Sequence, residues 1–279
     1  MDIALFKTFL CVARVRHFGK AADSLFVTQA AVSARIKQLE NTLGVQLFKR
    51  ERNNIQLTPA GERLRRNAEI IVSGWERARL DVALESQYAR SLAVGTTGDL
   101  WEIAVRGWTE RLHSTHAELA LRLEVDRAER LVARVVESLL DLVFVYEPPA
   151  ALELVARPLI GVPLVLVSTR AAITPEEALS SNYLLVDWGS SFAIAHAAFA
   201  GDRCLPRVHC NYGSAALDLL LSQGGSCYLA QQMIQPHLDE GALHLVAEAP
   251  IIERYCYAVF RAGDERDLLL QEVLAKAVL

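Results

Sequence analysis

The apolar positions at the start of the chain recur at helical spacing. One face of a helix predicted over residues 2–15 carries Leu5, Phe9 and Val12. A second short helix is predicted from residue 18 to about residue 25, where small side chains allow another helix to approach closely. Phe26 and Val27 then form a tight turn. The pattern predicts two short helices separated by a sharp break, followed by a third.

Thr28 is suited to the N-cap of that third helix, because its hydroxyl can accept a hydrogen bond from the first free amides. The apolar face of the helix is predicted to comprise Val32, Ile36, Leu39 and Leu43. The opposite face and the leading turn carry Gln29, Ala30, Ser33, Ala34, Lys37 and Gln38. Small hydrogen-bonding side chains followed by a lysine are typical of a helix that enters the major groove. On this segment alone, an ordinary amphipathic helix pair remains an alternative.

A β-hairpin is predicted over residues 45–57, with Asn53 and Asn54 at its tip because asparagine tolerates the positive φ of tight turns. The hairpin is rich in cations, namely Lys49, Arg50 and Arg52. A solvated hairpin would explain these charges, but a basic wing beside a recognition helix suits contacts with phosphates better.

Thr58 and Pro59 start a long helix that is predicted to reach about residue 88. Its apolar positions step by four and three residues over nearly three heptads, which is typical of a two-stranded coiled coil. A narrow apolar stripe on an otherwise charged helix needs a partner. The stripe could pack on another part of its own chain, but we expect a second copy to cover it in a dimer. The stripe comprises Leu64, Ala68, Ile71, Trp75, Ala78 and Val82.

With these features, the first 65 residues resemble the LysR-type transcriptional regulators. The matching positions include Ala21, Ala22, Thr28, Gln29, Ala31, Val32, Ser33, Ile36, Leu39, Glu40, Leu43, Gly44, Leu47, Phe48, Arg50, Leu57, Thr58, Ala60 and Gly61. Ala30 departs from the pattern, since the family more often has Ser or Pro there; this affects base contacts rather than the fold.

The resemblance implies that the third helix reads double-stranded DNA. Residues that would meet bases or their methyl groups are Gln29, Ala30, Ser33 and Ala34, with Thr28 capping the helix. Residues that would hold phosphates or the minor groove are Lys37, Arg50 and Arg52. Arg35 is a further candidate, but its lateral position is equally compatible with a surface ion pair.

From residue 91 onward, short apolar runs alternate with helical stretches. This βαβαβ pattern predicts a parallel sheet with right-handed crossovers, and a second such unit begins near residue 165. Two α/β lobes joined by crossing strands form a clamshell, and LysR-type regulators carry a periplasmic-binding-protein-like effector domain of this kind. We therefore predict three parts: a winged helix-turn-helix over 1–58, a linker and dimerisation helix over 59–90, and an effector-binding domain over 91–279. Its first lobe would span about 91–161 and 252–279, and its second about 162–251.

Ligands of such folds bind at the carboxyl ends of the strands, between the lobes. The strongest candidates are Thr96 and Thr97, whose hydroxyls, together with the free amides that follow, suit a carboxylate or another anion. Each aromatic candidate could equally belong to the core. The effector-binding candidates are Thr96, Thr97, Trp101, Tyr146, Ser190 and Asn211.

Charge is divided unevenly along the chain. Residues 1–90 hold 15 Lys and Arg against 9 Asp and Glu, whereas residues 91–279 hold 14 against 24. A basic head on an acidic body suits a polyanion-binding module joined to a domain with another role. Five cysteines without a C-x-x-C pair, an acidic Asp2 at the start and the lack of a long apolar run indicate a cytoplasmic protein that does not enter membranes.

No nucleophile motif, phosphate loop or zinc-ligand set occurs in the sequence, so we expect neither an enzyme nor a cofactor or metal site. We predict a DNA-binding regulator that acts as a homodimer or homotetramer and responds to a small-molecule effector, for which an anion is one possibility. The alternative is a solute-binding protein or small enzyme with a basic N-terminal appendage. Deleting residues 1–90 would separate the two, since only the regulator would lose all DNA binding.

Overall fold

A computed structural model of the chain describes residues 2–51, 54–84, 90–201, 204–263 and 267–275. The chain divides into two compact units. The first comprises Met1–Ala89 with Glu137–Leu139, and the second comprises Arg90–Val136 with Leu140–Leu279.

The first unit opens with three helices, each capped by the side chain before it. Helix α1 spans Ile3–Val15, α2 spans Phe18–Leu25 and α3 spans Gln29–Leu43. Their first free amides are bound by the side chains of Asp2, His17 and Thr28, respectively. The predicted break after α2 is confirmed, because Phe26 adopts a left-handed conformation with φ of 54° and ends the helix.

The core of this unit lies where the three helices meet the hairpin. Strands β1, Phe48–Glu51, and β2, Asn54–Leu57, pair antiparallel. The ring of Phe48 lies 5.4 Å from that of Phe9 and 6.3 Å from that of Phe18. The helices bury Leu5, Phe9, Val12, Val32, Ile36 and Leu39 as predicted. Leu43 is an exception at 39% exposed, because α3 ends beside it at Gly44 and the chain turns away.

Helix α4 spans Pro59–Leu84 and follows Thr58, whose hydroxyl accepts from the amide of Gly61 at 3.0 Å and donates to the carbonyl of Gln46 at 2.8 Å. The beginning of the apolar stripe of this helix is buried within its own unit. Ala68 is fully buried in the core of its own unit and Leu64 is half-buried against the same core. The prediction that the whole stripe contacts a second copy is therefore wrong for Ala68, because α1 already covers that part of α4.

The second unit contains a mixed sheet of nine described strands. Strands β3 (Arg90–Thr96), β4 (Leu119–Val125) and β5 (Leu142–Val145) are parallel, as predicted. A helical segment follows β3: α5 (Gly98–Leu100), a π-helical turn (Trp101–Val105) and α6 (Arg106–Thr115). Helix α7, Ala128–Val136, connects β4 to β5. These elements form the first lobe.

The second lobe repeats the alternation of strands and helices. Its helices are α8 (Pro175–Ser180), α9 (Ser190–Ala200), α10 (Gly213–Gln223) and α11 (Gln231–Asp239). Its strands are β7 (Tyr183–Val186), β8 (Pro206–Cys210), β9 (Ser226–Ala230) and the short β10 (His244–Leu245). Two long antiparallel strands, β6 (Leu154–Ser168) and β11 (Ile252–Arg261), run through both lobes, and α12 (Asp267–Ala275) follows β11. The strand order in the sheet is β4-β3-β5-β11-β6-β9-β7-β8, with β10 paired to β6. The two shared strands hold the lobes in one sheet and bring the ends of the other strands to a common cleft.

Candidate DNA-binding face and inter-lobe cleft

The leading turn of α3 presents its polar face to solvent. The hydroxyl of Thr28 accepts from the amide of Ala31 at 3.2 Å, which fixes the start of the helix. Three apolar residues behind this face are buried to 1% exposure or less, so the helix cannot rotate without opening the core. On the outer side, Gln29, Ala30, Ala34 and Lys37 are exposed and Ser33 is half-buried.

Arg35 is held against the first helix. Its Nη1 donates to the hydroxyl of Thr8 at 3.3 Å, and Thr8 is fully buried. The sequence had suggested either a DNA contact or a surface ion pair for this side chain, and this hydrogen bond to α1 was not expected. It links α3 to α1.

Glu40 connects α3 to the start of the hairpin. Its Oε1 accepts from the amides of Leu47 at 2.8 Å and Phe48 at 3.4 Å. Sequence reasoning missed this role, although a signal existed: Glu40 lies four residues after Ile36 and three before Leu43, so it stands in the apolar stripe. A carboxylate in such a stripe needs donors, and here the backbone supplies them.

The wing carries an exposed Lys49 beside the buried Phe48. The side chain of Arg50 and the whole of Arg52 and Asn53 lie outside the described residues, so the predicted roles of the two arginines stay predictions. The alternation of strand residues explains why Phe48 enters the core while Lys49 points outward.

A cleft of about 690 Å³ lies at the ends of the strands of the second unit. Three of the six predicted effector-binding residues line it, namely Thr97, Tyr146 and Asn211. The other three do not. Thr96 is buried and its hydroxyl donates to the carbonyl of Thr97 at 3.1 Å, Trp101 packs half-buried against the core, and the Ser190 hydroxyl donates to Glu147 Oε1 at 2.8 Å.

Asp99 joins the two lobes inside this cleft. Its Oδ1 accepts from the amide of Gly213, the first residue of α10, at 2.6 Å. Burial raises the pKa of this carboxyl to about 6; the bond from Gly213 opposes the increase and the negative charge of Glu102 adds to it. The carboxylate occupies the positive end of α10, a position that would otherwise suit an anionic ligand.

The carboxylate of Glu147 occupies the start of α9 in the same way. It accepts from the hydroxyl of Ser190 at 2.8 Å and from the amide of Ser191 at 3.3 Å, and lies 3.4 Å from Nη1 of Arg254. Burial tends to raise its pKa, but these bonds and the guanidinium outweigh burial, so the pKa of Glu147 is lowered. The positive end of a second helix is thus also occupied by a carboxylate of the first lobe.

Arg254 lies at the base of the cleft, 3% exposed, with its guanidinium 5.1 Å from the ring centre of Tyr146. Gly189 adopts φ of +94°, and a Cβ there would lie 3.1 Å from both Arg254 Nη1 and Glu147 Oε1. A glycine is therefore required where α9 meets the ion pair. Among the described residues, three buried polar atoms of the cleft form no hydrogen bond, namely Thr97 Oγ1, Tyr146 Oη and Arg254 Nη1. The last of these contacts Glu147 Oε1 only as an ion pair.

The sequence did not single out Asp99, Glu147 or Arg254. Asp99 and Glu147 each follow the end of a parallel strand by a few residues, which was a usable signal for the two acids. Arg254 sits within a strand whose alternating residues are buried, and a charged residue at an inward position of such a strand marks a site that requires a counter-charge.

Comparison with known protein families identifies a family for each of the two units. Residues 3–62 match the bacterial regulatory helix-turn-helix protein profile of the lysR family, and residues 85–277 match the LysR substrate binding domain. The chain belongs to the LysR family. It is a DNA-binding transcriptional regulator with an effector-binding domain, and the resemblance drawn from the sequence is confirmed.

Relatives of this LysR-family regulator match it over nearly their whole length. The HTH-type transcriptional regulator HdfR of Yersinia enterocolitica is 36% identical, over 98% of this chain and 95% of the relative. HdfR of Escherichia fergusonii is also 36% identical, over 100% and 99%.

Solved structures of LysR regulators share the fold. Full-length CbnR complexed with its target DNA superposes with a TM-score of 0.77 at 18% identity, covering 99% of this chain and all of that one. DarR of Vibrio fischeri in complex with DNA gives a TM-score of 0.61 at 18% identity, covering 99% of each chain. The predicted fold class, a winged helix-turn-helix followed by a two-lobed α/β domain, is thereby confirmed.

Across the described residues, no helix has both the length and the apolar character needed to cross a membrane.

Proposed function

We propose that this LysR-family regulator reads its operator with the leading turn of α3. The observation that carries the proposal is the exposed row of Gln29, Ala30, Ala34 and Lys37 on a helix whose opposite face is locked into the core. Amide and hydroxyl groups can bond base edges, methyl groups can contact thymine, and Lys37 can bind a phosphate. The wing, through Lys49, Arg50 and Arg52, would hold the backbone beside the groove.

We further propose that the exposed part of α4 pairs with a second copy of the chain. Ile71, Trp75 and Val82 are 41%, 49% and 72% exposed, and Ala78 is exposed with them. Such a row of apolar side chains on one helix is costly in water and matches a coiled-coil seam. Pairing through a two-fold axis would place two recognition helices on the half-sites of a pseudo-palindrome. Four copies would form by a further contact between dimers.

The cleft of the second unit would hold the effector, whose binding would change the spacing of the two DNA-bound heads. The protein would act in the cytoplasm, where its DNA target lies, and would catalyse no reaction. Its relatives named HdfR are transcriptional regulators, which supports this role.

The test is a binding-site profile of the purified full chain on genomic DNA fragments at moderate and at high salt. We expect a short inverted repeat whose occupancy falls steeply as salt rises, because phosphate contacts release counterions. Diffuse binding with no shared motif, both with and without cell-extract metabolites, would contradict the proposal.

A further inference from the structure

Two helix ends that would attract an anion are already occupied within the cleft. The carboxylate of Asp99 binds the amide that opens α10, and the carboxylate of Glu147 binds the hydroxyl and amide that open α9. Both acids belong to the first lobe and both helices to the second. An anionic ligand at either of these two helix ends would have to displace a carboxylate.

The remaining charge of the cleft is negative. The lining residues include five carboxylates, Asp99, Asp126, Glu129, Glu147 and Asp187, against two guanidiniums, Arg127 and Arg254. Two of the carboxylates are paired, Glu147 with Arg254 and Asp126 with Arg130, and Arg127 is exposed at the rim. Among the described residues, no Lys or Arg forms an ion pair with Asp99, although Asp99 is only 7% exposed. The field inside the cleft therefore favours a cation.

Oxygen and aromatic groups complete the surroundings of a positive charge. Within the part of the chain that the structure describes, the buried hydroxyl oxygens of Thr97 and Tyr146 have no hydrogen-bond partner, and each can accept a hydrogen bond from an ammonium group. Asp99 and Tyr146 both line the cleft.

We propose that the cleft binds a small organic cation, a primary amine whose ammonium group pairs with Asp99, rather than the anion that the sequence offered as one possibility. This inference rests on the proposed effector-binding role of the cleft and specifies the chemical class of its ligand. The hydroxyls of Thr97 and Tyr146 supply acceptors for the ammonium protons.

The test compares three probes of equal chain length on the full protein: diaminobutane, butanediol and succinate, which carry ammonium, hydroxyl and carboxylate termini. Binding is measured by calorimetry and by the shift of the unfolding temperature, because a ligand that binds only the folded state stabilises it. We expect diaminobutane to bind and raise the unfolding temperature, and the other two probes to leave it unchanged. Stabilisation by succinate, or no response to diaminobutane, would overturn the proposal.

A pair of variants assigns the effect to the cleft. Asp99→Asn keeps an acceptor for the Gly213 amide but removes the charge, so the affinity for diaminobutane should fall roughly tenfold or more. Asp218→Asn removes the same charge from an exposed position of α10 outside the cleft and should bind diaminobutane like the parent. Equal affinity of all three proteins would show that the amine binds elsewhere and would also overturn the proposal.

DNA binding separates this inference from the proposed function. If the parent and both variants bind the operator but diaminobutane does not bind the cleft, only the cationic ligand class is wrong. If the parent fails to bind any specific DNA sequence, the proposed operator reading fails whatever the probes show.

Discussion

The carboxylate of Asp99, in the first lobe, accepts a 2.6 Å hydrogen bond from the amide of Gly213, in the second. The two residues are 114 positions apart, and their contact places a negative charge at the positive end of α10. The same glycine lies against the ring of the buried Trp188. This contact joins the lobes on the cleft side, whereas β6 and β11 join them through the sheet.

Gly213→Ala should weaken this junction. A Cβ at this position would lie 2.5 Å from Cη2 of Trp188 and 3.1 Å from Oδ1 of Asp99, and neither partner is a flexible surface side chain. We expect a loss of about 1–3 kcal/mol in the free energy of unfolding, measured by denaturant titration. Gly107→Ala is the control, since its Cβ would meet only the flexible end of Arg111 at 3.4 Å. Equal stability of the two variants would contradict the close contact.

Asp99 should also give the protein a pH-dependent stability. Because its pKa is raised from 3.8 to about 6, the folded state holds this proton more tightly than the unfolded chain does. Its contribution to stability is therefore present at low pH and is lost as pH rises from about 4 to about 6. With about 1.36 kcal/mol for each tenfold change in proton affinity, the loss amounts to roughly 3 kcal/mol.

Asp99→Asn removes this titration. The unfolding free energies of parent and variant are compared between pH 4 and 7. The variant should become more stable relative to the parent as pH rises. A difference that stays constant over this range would show that Asp99 titrates normally.

Gln29→Leu should abolish sequence discrimination. The side chain is exposed in the leading turn of α3, where an amide can bond a base edge and leucine cannot. We expect specific affinity to fall roughly tenfold or more while non-specific binding persists, as measured by titration of operator and scrambled duplexes. Gln38→Leu makes the same change at an exposed position nine residues further along α3 and should keep its discrimination. A footprint of Gln29→Leu identical to the parent's would rule out this recognition turn.

Trp75→Glu should split the dimer. The indole is 49% exposed within the apolar row of α4, and a carboxylate there would be desolvated on pairing. We expect the mass measured by analytical ultracentrifugation to fall to that of one chain at micromolar protein, with folding retained. Ile194→Glu, at a 73% exposed position of α9, provides the control and should leave the mass unchanged. A dimeric Trp75→Glu protein would place the seam elsewhere.

Gly61→Ala should unfold the DNA-binding unit locally. A Cβ at Gly61 would collide with the backbone carbonyl of Leu47, which cannot move away because the amide of Thr58 donates to it at 2.9 Å. We expect about 1–3 kcal/mol of destabilisation in the first unit, together with lost DNA binding. Hydrogen exchange of the α3 and β1 amides provides the measurement, and unchanged protection there would contradict the prediction.

Much of the first unit was predictable from the sequence because its signals are local. The N-cap of α3, the turn at Phe26 and the apolar faces of α1 and α3 depend on residues within one or two helical turns of each other. The alternation of strands and helices after residue 90 likewise predicted parallel strands and crossovers. Leu43 and Ala68 were misjudged because periodicity identifies an apolar face but not how far along the helix a neighbour covers it.

The sequence by itself determined the family, the order of elements, the positive charge of the first 90 residues and the apolar stripe of α4. Only the tertiary structure decided which residues form the cleft and what charge it presents. Asp99 and Gly213, Glu147 and Ser190, or Glu147 and Arg254 carry no mark of their partnership in the chain, because 43 to 114 residues separate the members of these pairs. The electrostatic preference of a cleft depends on distances between such remote groups. Folding sets these distances, and here it placed carboxylates at the starts of α9 and α10, whereas the sequence suggested an anion at Thr96 and Thr97.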